Sequence, residues 1–529
     1  MFLREQKIVR KDKIVVYLHL YESKRVDGHM TCKHIKSFGN KDKLIADGKY
    51  DEIVRRYGKS KAADASSSEI LWSYPCGPVL VYDAVWRRLR FFEILDGLVK
   101  ERRNQFDFSE AVFCMVLNRI CSPCSKYSIP SWIRHGIYRP GFRSLSLQHL
   151  YRSLDLLLES RDELEEALFV ETSRLTRDPL ELVLFDTTST YFEGTHTADM
   201  AKPGHSKDSR PDLRQILVGV VMTSQGIPVT HYVFDGNLGD PDAFRTALVD
   251  FTSRFKVGRV VVAADRGMVG QKTVSLLEKL ELPYILGARM RRNHESERAL
   301  DDPGEYLEVR KGLKVKDIRV DGTRYVLCLN EEQVVRDAAV RNNVVEHLQK
   351  ELKKRKGKGL VKLPAKRFLA SAGTLELTVD LDKVEADARY DGKYLLRTDT
   401  DLPATDVALA YKRLWKVERG FRDLKSELDL RPVFHRTEDR ICAHVFLCFL
   451  ALLSECVLDH LYRKAWPDSD LESRREAKDA AFALNAVCER RGGKEVIQVL
   501  NRNDDAERIF HALGAPLPKS LDLPANKNL

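Results

Sequence analysis

Three acidic residues stand where a rigid element would present them. In Leu182-Val-Leu-Phe185-Asp186-Thr-Thr-Ser-Thr190 and in Val260-Val-Val-Ala-Ala264-Asp265-Arg-Gly267, an apolar run of strand type delivers a single aspartate. A carboxylate closing a buried strand is costly to desolvate unless positive charge sits on it. The third is Glu418, in the stretch from Tyr411 to Lys425, which has no proline, one glycine and mostly good helix formers. That composition predicts a helix. Seven residues make nearly two helical turns, so Tyr411, Glu418 and Lys425 share one stripe. Taken alone, Glu and Lys at that spacing describe a solvated face. With two aspartate-bearing strands as well, the three carboxylates point to a divalent metal site.

The constellation resembles the DDE transposases of bacterial insertion sequences, in the branch with a β-rich insertion between the second Asp and the Glu. That family shows Asp in a strand followed by Thr, then Asp before Arg-Gly, then Tyr-x-x-Arg-x-x-x-Glu-x-x-x-x-x-x-Lys. Asp186-Thr187, Asp265-Arg266-Gly267, Tyr411, Glu418 and Lys425 match, while Leu414 stands where the family has Arg. Ser206-Lys-Asp-Ser-Arg-Pro-Asp-Leu-Arg-Gln215 and Leu430-Arg-Pro-Val-Phe-His435 belong to the same resemblance, which runs from roughly residue 180 to 460.

The resemblance implies that Asp186, Asp265 and Glu418 are catalytic and hold two ions, with Asp186 shared between them. Hard oxygen ligands select Mg²⁺ or Mn²⁺. Tyr411 and Lys425 would position the phosphates flanking the cut. Arg422, about 40° from Glu418 around a helix, is the candidate to supply the guanidinium that Leu414 lacks, whereas Arg413 lies about 140° away. The implied function is DNA transposition: binding of the terminal inverted repeats, metal-dependent strand cleavage and strand transfer. The implied partners are double-stranded DNA, as element ends and target, and a second copy of the chain in a DNA-assembled dimer. The same carboxylates would serve a ribonuclease-H-like nuclease acting on other nucleic acid structures. A catalytically idle DNA-binding derivative is the other alternative, and the presence of all three acids speaks against it.

The elements that must position these residues follow a readable order. After the Asp186 strand, Gln215–Thr223 and Pro228–Asp235 read as strands joined by a turn at Ser224-Gln-Gly-Ile227. A helix from Asp242 to Phe255, the Asp265 strand, a helix from Gln271 to Lys279 and a strand from Pro283 to Gly287 follow. A three-strand meander and then helix–strand alternation is the order of a ribonuclease-H-like core, and it brings Asp186 and Asp265 onto neighbouring strands. The expected fold class is therefore α/β, with that core in residues 177–289 and 404–463. A β-rich insertion subdomain would occupy 290–403. A small N-terminal β element (1–80), with a hairpin at Asp27-Gly28 and a linker at 62–68, would precede a helical domain (81–176). A C-terminal helical tail (464–529) would close the chain. The helical domain carries Arg87, Arg88 and Arg90, and the resemblance assigns DNA-end recognition to it and to the N-terminal element. The basic run Lys353-Lys-Arg-Lys-Gly-Lys358 is either a solvated loop or a DNA contact.

Composition sets the bounds. At 529 residues the chain exceeds one usual core, so several domains are expected. With 43% hydrophobic and 31% charged residues it reads as a soluble globular protein, and a net charge of +10 is compatible with a polyanionic partner. The apolar run Ala443 to Val457 is shorter than the roughly 20 residues a membrane span needs, so it reads as a core helix and no membrane partner is expected. Scattered cysteines and no signal-peptide pattern predict reduced thiols in a cytoplasm, which the resemblance implies is bacterial. Cys121-Ser-Pro-Cys124 lacks the second pair that a structural zinc site requires.

Overall fold

A computed structural model describes the chain apart from residues 1, 11–12, 27–28, 58–68, 103–105, 178–179, 193–197, 256–259, 292–293, 356–365, 373–375, 432, 434, 492 and 524–529. The expected Asp27-Gly28 turn, the 62–68 linker, the end of the 353–358 basic run and the last residues of the tail lie outside the described residues. Two compact units form. The first comprises 1–73, 486–499 and 519–525, and the second comprises nearly all the rest.

The first unit carries an antiparallel three-stranded sheet of Phe2–Arg10, Lys13–Val26 and His29–Asn40. Its other sheet joins Glu69–Pro75 to Asn485–Arg491, Lys494–Leu500 and Ser520–Leu521. The tail expected as helical therefore contributes three strands as well as the helices Leu471–Phe482 and Asp504–Ala512. Of these strands only Asn485–Arg491 neighbours the distant Glu69–Pro75; on its other side lies Lys494–Leu500, which in turn borders Ser520–Leu521.

In the second unit, helices occupy Gly77–Arg88, Phe91–Leu98, Phe108–Cys121, Ile129–His135, Leu147–Glu159 and Arg161–Thr176. The first two are separated at Arg90, whose φ of 52° is left-handed. These helices precede a nine-stranded sheet. Its strands are β1 (Leu182–Tyr191), β2 (Gln215–Thr223), β3 (Pro228–Asp235), β4 (Val261–Ala264) and β5 (Tyr284–Ala288), then β6 (Leu307–Arg310), β7 (Leu313–Val320), β8 (Thr323–Asn330) and β9 (Lys393–Thr398). Across the sheet they run β6-β7-β8-β9-β5-β4-β1-β2-β3. β1, β2 and β3 form an antiparallel meander, and β4 lies parallel to β1 and to β5. The half 3-2-1-4-5 is the strand order expected of a ribonuclease-H-like sheet. The 290–403 segment extends that same sheet through β9, which pairs antiparallel with β5.

The helices that matter for the site are α1 (Asp240–Arg254), α2 (Gln271–Lys279), α3 (Glu331–Arg355), α4 (Ala404–Lys412), α5 (Trp415–Ser426) and α6 (Glu438–Ala465). Burial runs almost unbroken along β1 and β2, including the polar Thr187–Thr190 of β1. One face packs on α1 and α2, where Phe185, Phe244, Phe251 and Leu277 form the core. The helix α6 is longer than the apolar run within it, since charged residues extend both ends. By length and composition it could cross a membrane, but 83% of its apolar window is buried inside the protein, so here it acts as a core helix.

One buried charge cluster ties the helical segment to this core. Glu165, fully buried on Arg161–Thr176, accepts from Thr230 Oγ1 (2.8 Å) and from Arg254 Nη2 (2.9 Å), and its Oε1 lies 2.7 Å from His231 Nδ1. Burial opposes its ionisation, and the His231 and Arg254 charges outweigh that, holding the carboxyl below its ordinary value. The His231 ring stacks on Phe446 and Phe449 of α6.

Candidate active site

The parallel register pairs Leu182 with Val261 and Phe185 with Ala264, so the next residues, Asp186 and Asp265, stand side by side just past the paired stretch, Asp186 midway along β1 and Asp265 directly after β4. Phe185 and Ala264 are buried beneath them. Asp265 is exposed and its backbone carbonyl starts the short 3₁₀ turn Arg266–Met268. Burial pushes the Asp186 carboxyl up to about 6; Lys207 and the Thr187 N–H pull it down, while Asp265 and Asp240 add to the rise.

The stretch from Tyr411 to Lys425 is two helices and not one. Around Arg413-Leu414 the backbone bonds tighten to i→i−3, as in Leu414 N–H to Tyr411 O and Val417 N–H to Leu414 O. A 3₁₀ turn advances each residue by about 120° instead of 100° and so shifts the phase of everything after it. The common stripe is lost and the three residues find separate surroundings. Tyr411, on α4, donates to Asp265 Oδ1 at 2.9 Å. Burial and the Asp265 carboxylate push its phenol pKa well up, with a smaller contribution from Glu418. Glu418 lies exposed in the first turn of α5. Lys425, in the last turn, donates to Asp208 Oδ1 at 2.7 Å; burial lowers its pKa and the Asp208 pair opposes that. Arg422 is exposed, and among the described residues no ion pair joins it to Glu418. Leu414, where the resemblance expects Arg, is buried.

Two anchors hold α5. At its start Lys416 donates to Ser224 O (2.7 Å) and lays its stem against Gly226, and in its middle Gly420 lets the helix approach Met222 and Leu452. A further glycine shapes the site. A Cβ at Gly287 on β5 would stand 2.5 Å from Tyr411 Oη and 2.9 Å from Arg266 N, so only glycine lets the phenol reach Asp265. Beside it opens a cleft of about 490 Å³ between β5, β9 and α3, which reaches Asp265, Tyr394 and Tyr411. Three of the arginines lining it are engaged: Arg341 with Asp391, and Arg291 and Arg367 with Asp387.

The family model described as the transposase DDE domain matches residues 178–454, just over half of the chain. The chain belongs to the DDE transposase family. Among curated proteins none matches it. Similar solved structures include the piggyBac transposase synaptic complex with hairpin DNA, at 8% identity over 77% of this chain and 79% of that one, with a TM-score of 0.36. The Mos1 transposase paired-end complex with the left transposon end has 10% identity, covers 33% and 57%, and has a TM-score of 0.15. The Mos1 mariner paired-end complex with Mn has 13% identity over the same shares, at 0.15. At these scores the likenesses are distant, and the architecture rests on this chain's own strand order.

In this DDE transposase the donor set suits a hard divalent cation, because the half-buried Asp186 has Asp265 and Asp240 nearby, whose charges raise its proton affinity. The expectation that Glu418 completes the group is not met at ligand distance. Among the described residues no three His, Cys, Asp or Glu side chains gather closely enough to hold an ion. Like charges keep apart unless a cation joins them, and an ammonium already stands there. Lys207 Nζ donates to Thr187 O (2.8 Å) and Thr187 Oγ1 (2.7 Å), 3.4 Å from Asp240 Oδ1 and 4.0 Å from Asp186 Oδ1. Thr187 Oγ1 in turn donates to Asp240 Oδ1 at 2.7 Å. Asp240, at the start of α1, and Gly287 are site residues that sequence reasoning missed. A helix-start acid and a strand glycine look like ordinary structural residues. Lys207 and Asp208 lay inside a quoted motif without a role.

Arg87, Arg88 and Arg90 are also occupied. Arg87 pairs with Asp83, Arg88 donates to Leu513 O, and Arg90 pairs with Glu93 and Glu171. The described cysteines are free thiols.

Proposed function

We propose that this DDE transposase mobilises a bacterial insertion sequence, binding its terminal inverted repeats and carrying out metal-dependent strand cleavage and strand transfer. The observation that carries the reading is the side-by-side placement of Asp186 and Asp265 where the parallel pairing of β1 and β4 ends, with Tyr411 bonded to Asp265 and the Glu418 helix alongside. Asp186 would be the shared ligand of two Mg²⁺ or Mn²⁺ ions, with Asp265 and Glu418 each completing one site. Such ions, when bound, activate the attacking oxygen and stabilise the leaving one. Tyr411 orients the Asp265 carboxylate through its hydrogen bond. Arg422, exposed one turn beyond Glu418, is free to meet a DNA phosphate. Attack by water at the element end breaks the P–O bond to the element's 3′ oxygen, which leaves as a hydroxyl. Attack by that oxygen on target DNA then forms a new P–O bond and releases a target 3′ hydroxyl. The 290–403 segment is read as the β-rich insertion, residues 1–176 as the end-recognising part, and the assembly on DNA as a dimer.

The test is nicking and joining of a labelled end duplex in Mg²⁺ by Asp186→Asn, Asp265→Asn and Glu418→Gln. Each is expected to abolish both steps and to retain end binding, since an amide keeps the shape and loses the charge. Activity like that of the unsubstituted protein in any one removes that residue from the site. Cleavage without joining, or without preference for the ends, would turn the reading to a nuclease.

A further inference from the structure

The motif Ser206-Lys207-Asp208 has two neighbours at once. On one side, Lys207 N–H donates to the buried Ser189 Oγ at 2.8 Å, and its ammonium is bound to Thr187 O and Oγ1, beside Asp186. On the other, Asp208 Oδ1 accepts from Lys425 Nζ at 2.7 Å and forms an ion pair with Arg431 Nη1 at 2.8 Å. Asp208 is nearly buried, its side chain 9% exposed, and its Oδ2 has no hydrogen-bond partner among the described residues. Two consecutive residues thus grip the strand that carries Asp186 and the helix that carries Glu418. Glu418 sits seven residues before Lys425, about 10 Å along the helix axis.

We propose that Lys207-Asp208 is a clip that sets the gap between the Asp186 strand and the Glu418 helix, with Lys425 a positioning residue of that clip. This rests on the proposed catalytic reading. Lys425 then serves the site through Asp208, in place of the flanking-phosphate role that the resemblance gives it. A buried carboxylate satisfied on one oxygen by two cations resists exchange for water, because leaving either cation or carboxylate alone and buried is costly. The clip favours the arrangement in which Asp186 and Glu418 can share an ion. Breaking it lowers the fraction of molecules in that arrangement, and the apparent metal affinity falls by the same fraction.

The experiment compares the unsubstituted protein, Asp208→Asn, Lys425→Met, the double variant and Lys425→Arg, each full length and bound to end DNA. Bound Mn²⁺ is read by loss of the free-ion electron paramagnetic resonance signal, alongside nicking and thermal unfolding. Each single variant is expected to raise the Mn²⁺ concentration for half-saturation about fivefold or more, the double variant no further, and Lys425→Arg to stay near the unsubstituted value. End binding should be unchanged in all of them. Unchanged Mn²⁺ half-saturation in a folded Asp208→Asn, or losses that multiply in the double variant, overturns the clip. Weaker end binding in Lys425→Met with normal Mn²⁺ binding would return Lys425 to the DNA. Absence of Mn²⁺-dependent nicking in the unsubstituted protein would instead count against the proposed function.

Discussion

Gly287→Ala tests whether the Tyr411–Asp265 contact depends on an empty Cβ position. The added methyl would stand 2.5 Å from Tyr411 Oη and 2.9 Å from Arg266 N, both closer than carbon tolerates. Overpacking of this kind costs about 1–3 kcal/mol. The phenol can relieve part of it by withdrawing, which forfeits its 2.9 Å bond to Asp265, worth about 1–2 kcal/mol for a contact this exposed. Tyr411→Phe alone should therefore cost about 1–2 kcal/mol, and in the alanine background much less, since the bond is already lost. The Arg266 contact remains, so the double variant stays less stable than the unsubstituted protein. Thermal unfolding of the four proteins gives the cycle, and a coupling of about 1 kcal/mol is expected. Losses that add to within about 0.5 kcal/mol would show that the methyl pushes on the β4–β5 backbone alone and that the phenol was never displaced.

Three further outcomes are expected. Glu165→Ala should destabilise the protein by about 3–5 kcal/mol, because Arg254 and His231 lose a fully buried partner; a change under about 1 kcal/mol on thermal unfolding would show the cluster to be dispensable. Burial, and Arg119 beside it, hold the buried Lys126 ammonium down to about 7, whereas an unfolded lysine keeps its proton to about 10.4. Between about pH 7 and 8.5 the unfolded state thus binds more protons, and stability rises with pH by up to about 1.4 kcal/mol per unit. Lys126→Met should flatten that rise, and a melting profile already flat in the unsubstituted protein refutes it. Arg422→Ala should reduce strand transfer and Arg413→Ala should not; equal, small losses in both remove Arg422 from the reaction.

What could be read in advance divides by distance along the chain. The strands bearing Asp186 and Asp265 were legible because each opens with an apolar run that leads into one acid, although the first continues past it to Tyr191, and the meander before the parallel strands followed from their turns. The junction at Arg413-Leu414 was not. Neither residue breaks helices, and the tightening accompanies a buried Leu414 and a Tyr411 fastened to Asp265, 146 positions earlier. Lys425 was read as meeting a flanking phosphate, and its pairing with Asp208 was not legible for the same reason, since that partner is 217 positions away. The strands Asn485–Arg491 and Lys494–Leu500 neighbour each other across Gly492-Gly493, a signal the sequence carried, and only the first also borders Glu69–Pro75, more than four hundred positions earlier.

The continuity of the nine-stranded sheet bears on how such a chain can be shortened. Because β9 pairs along β5 from Ile285 to Ala288, the 290–403 segment caps the edge of the catalytic half. Excising it would leave β5 a bare edge, with the N–H and C=O groups now bound to β9 open to strands of other molecules. A trimmed transposase would need a replacement strand, or charge and proline along β5, to stay soluble. The segment is thus held in place by the sheet itself, whatever its part in handling DNA.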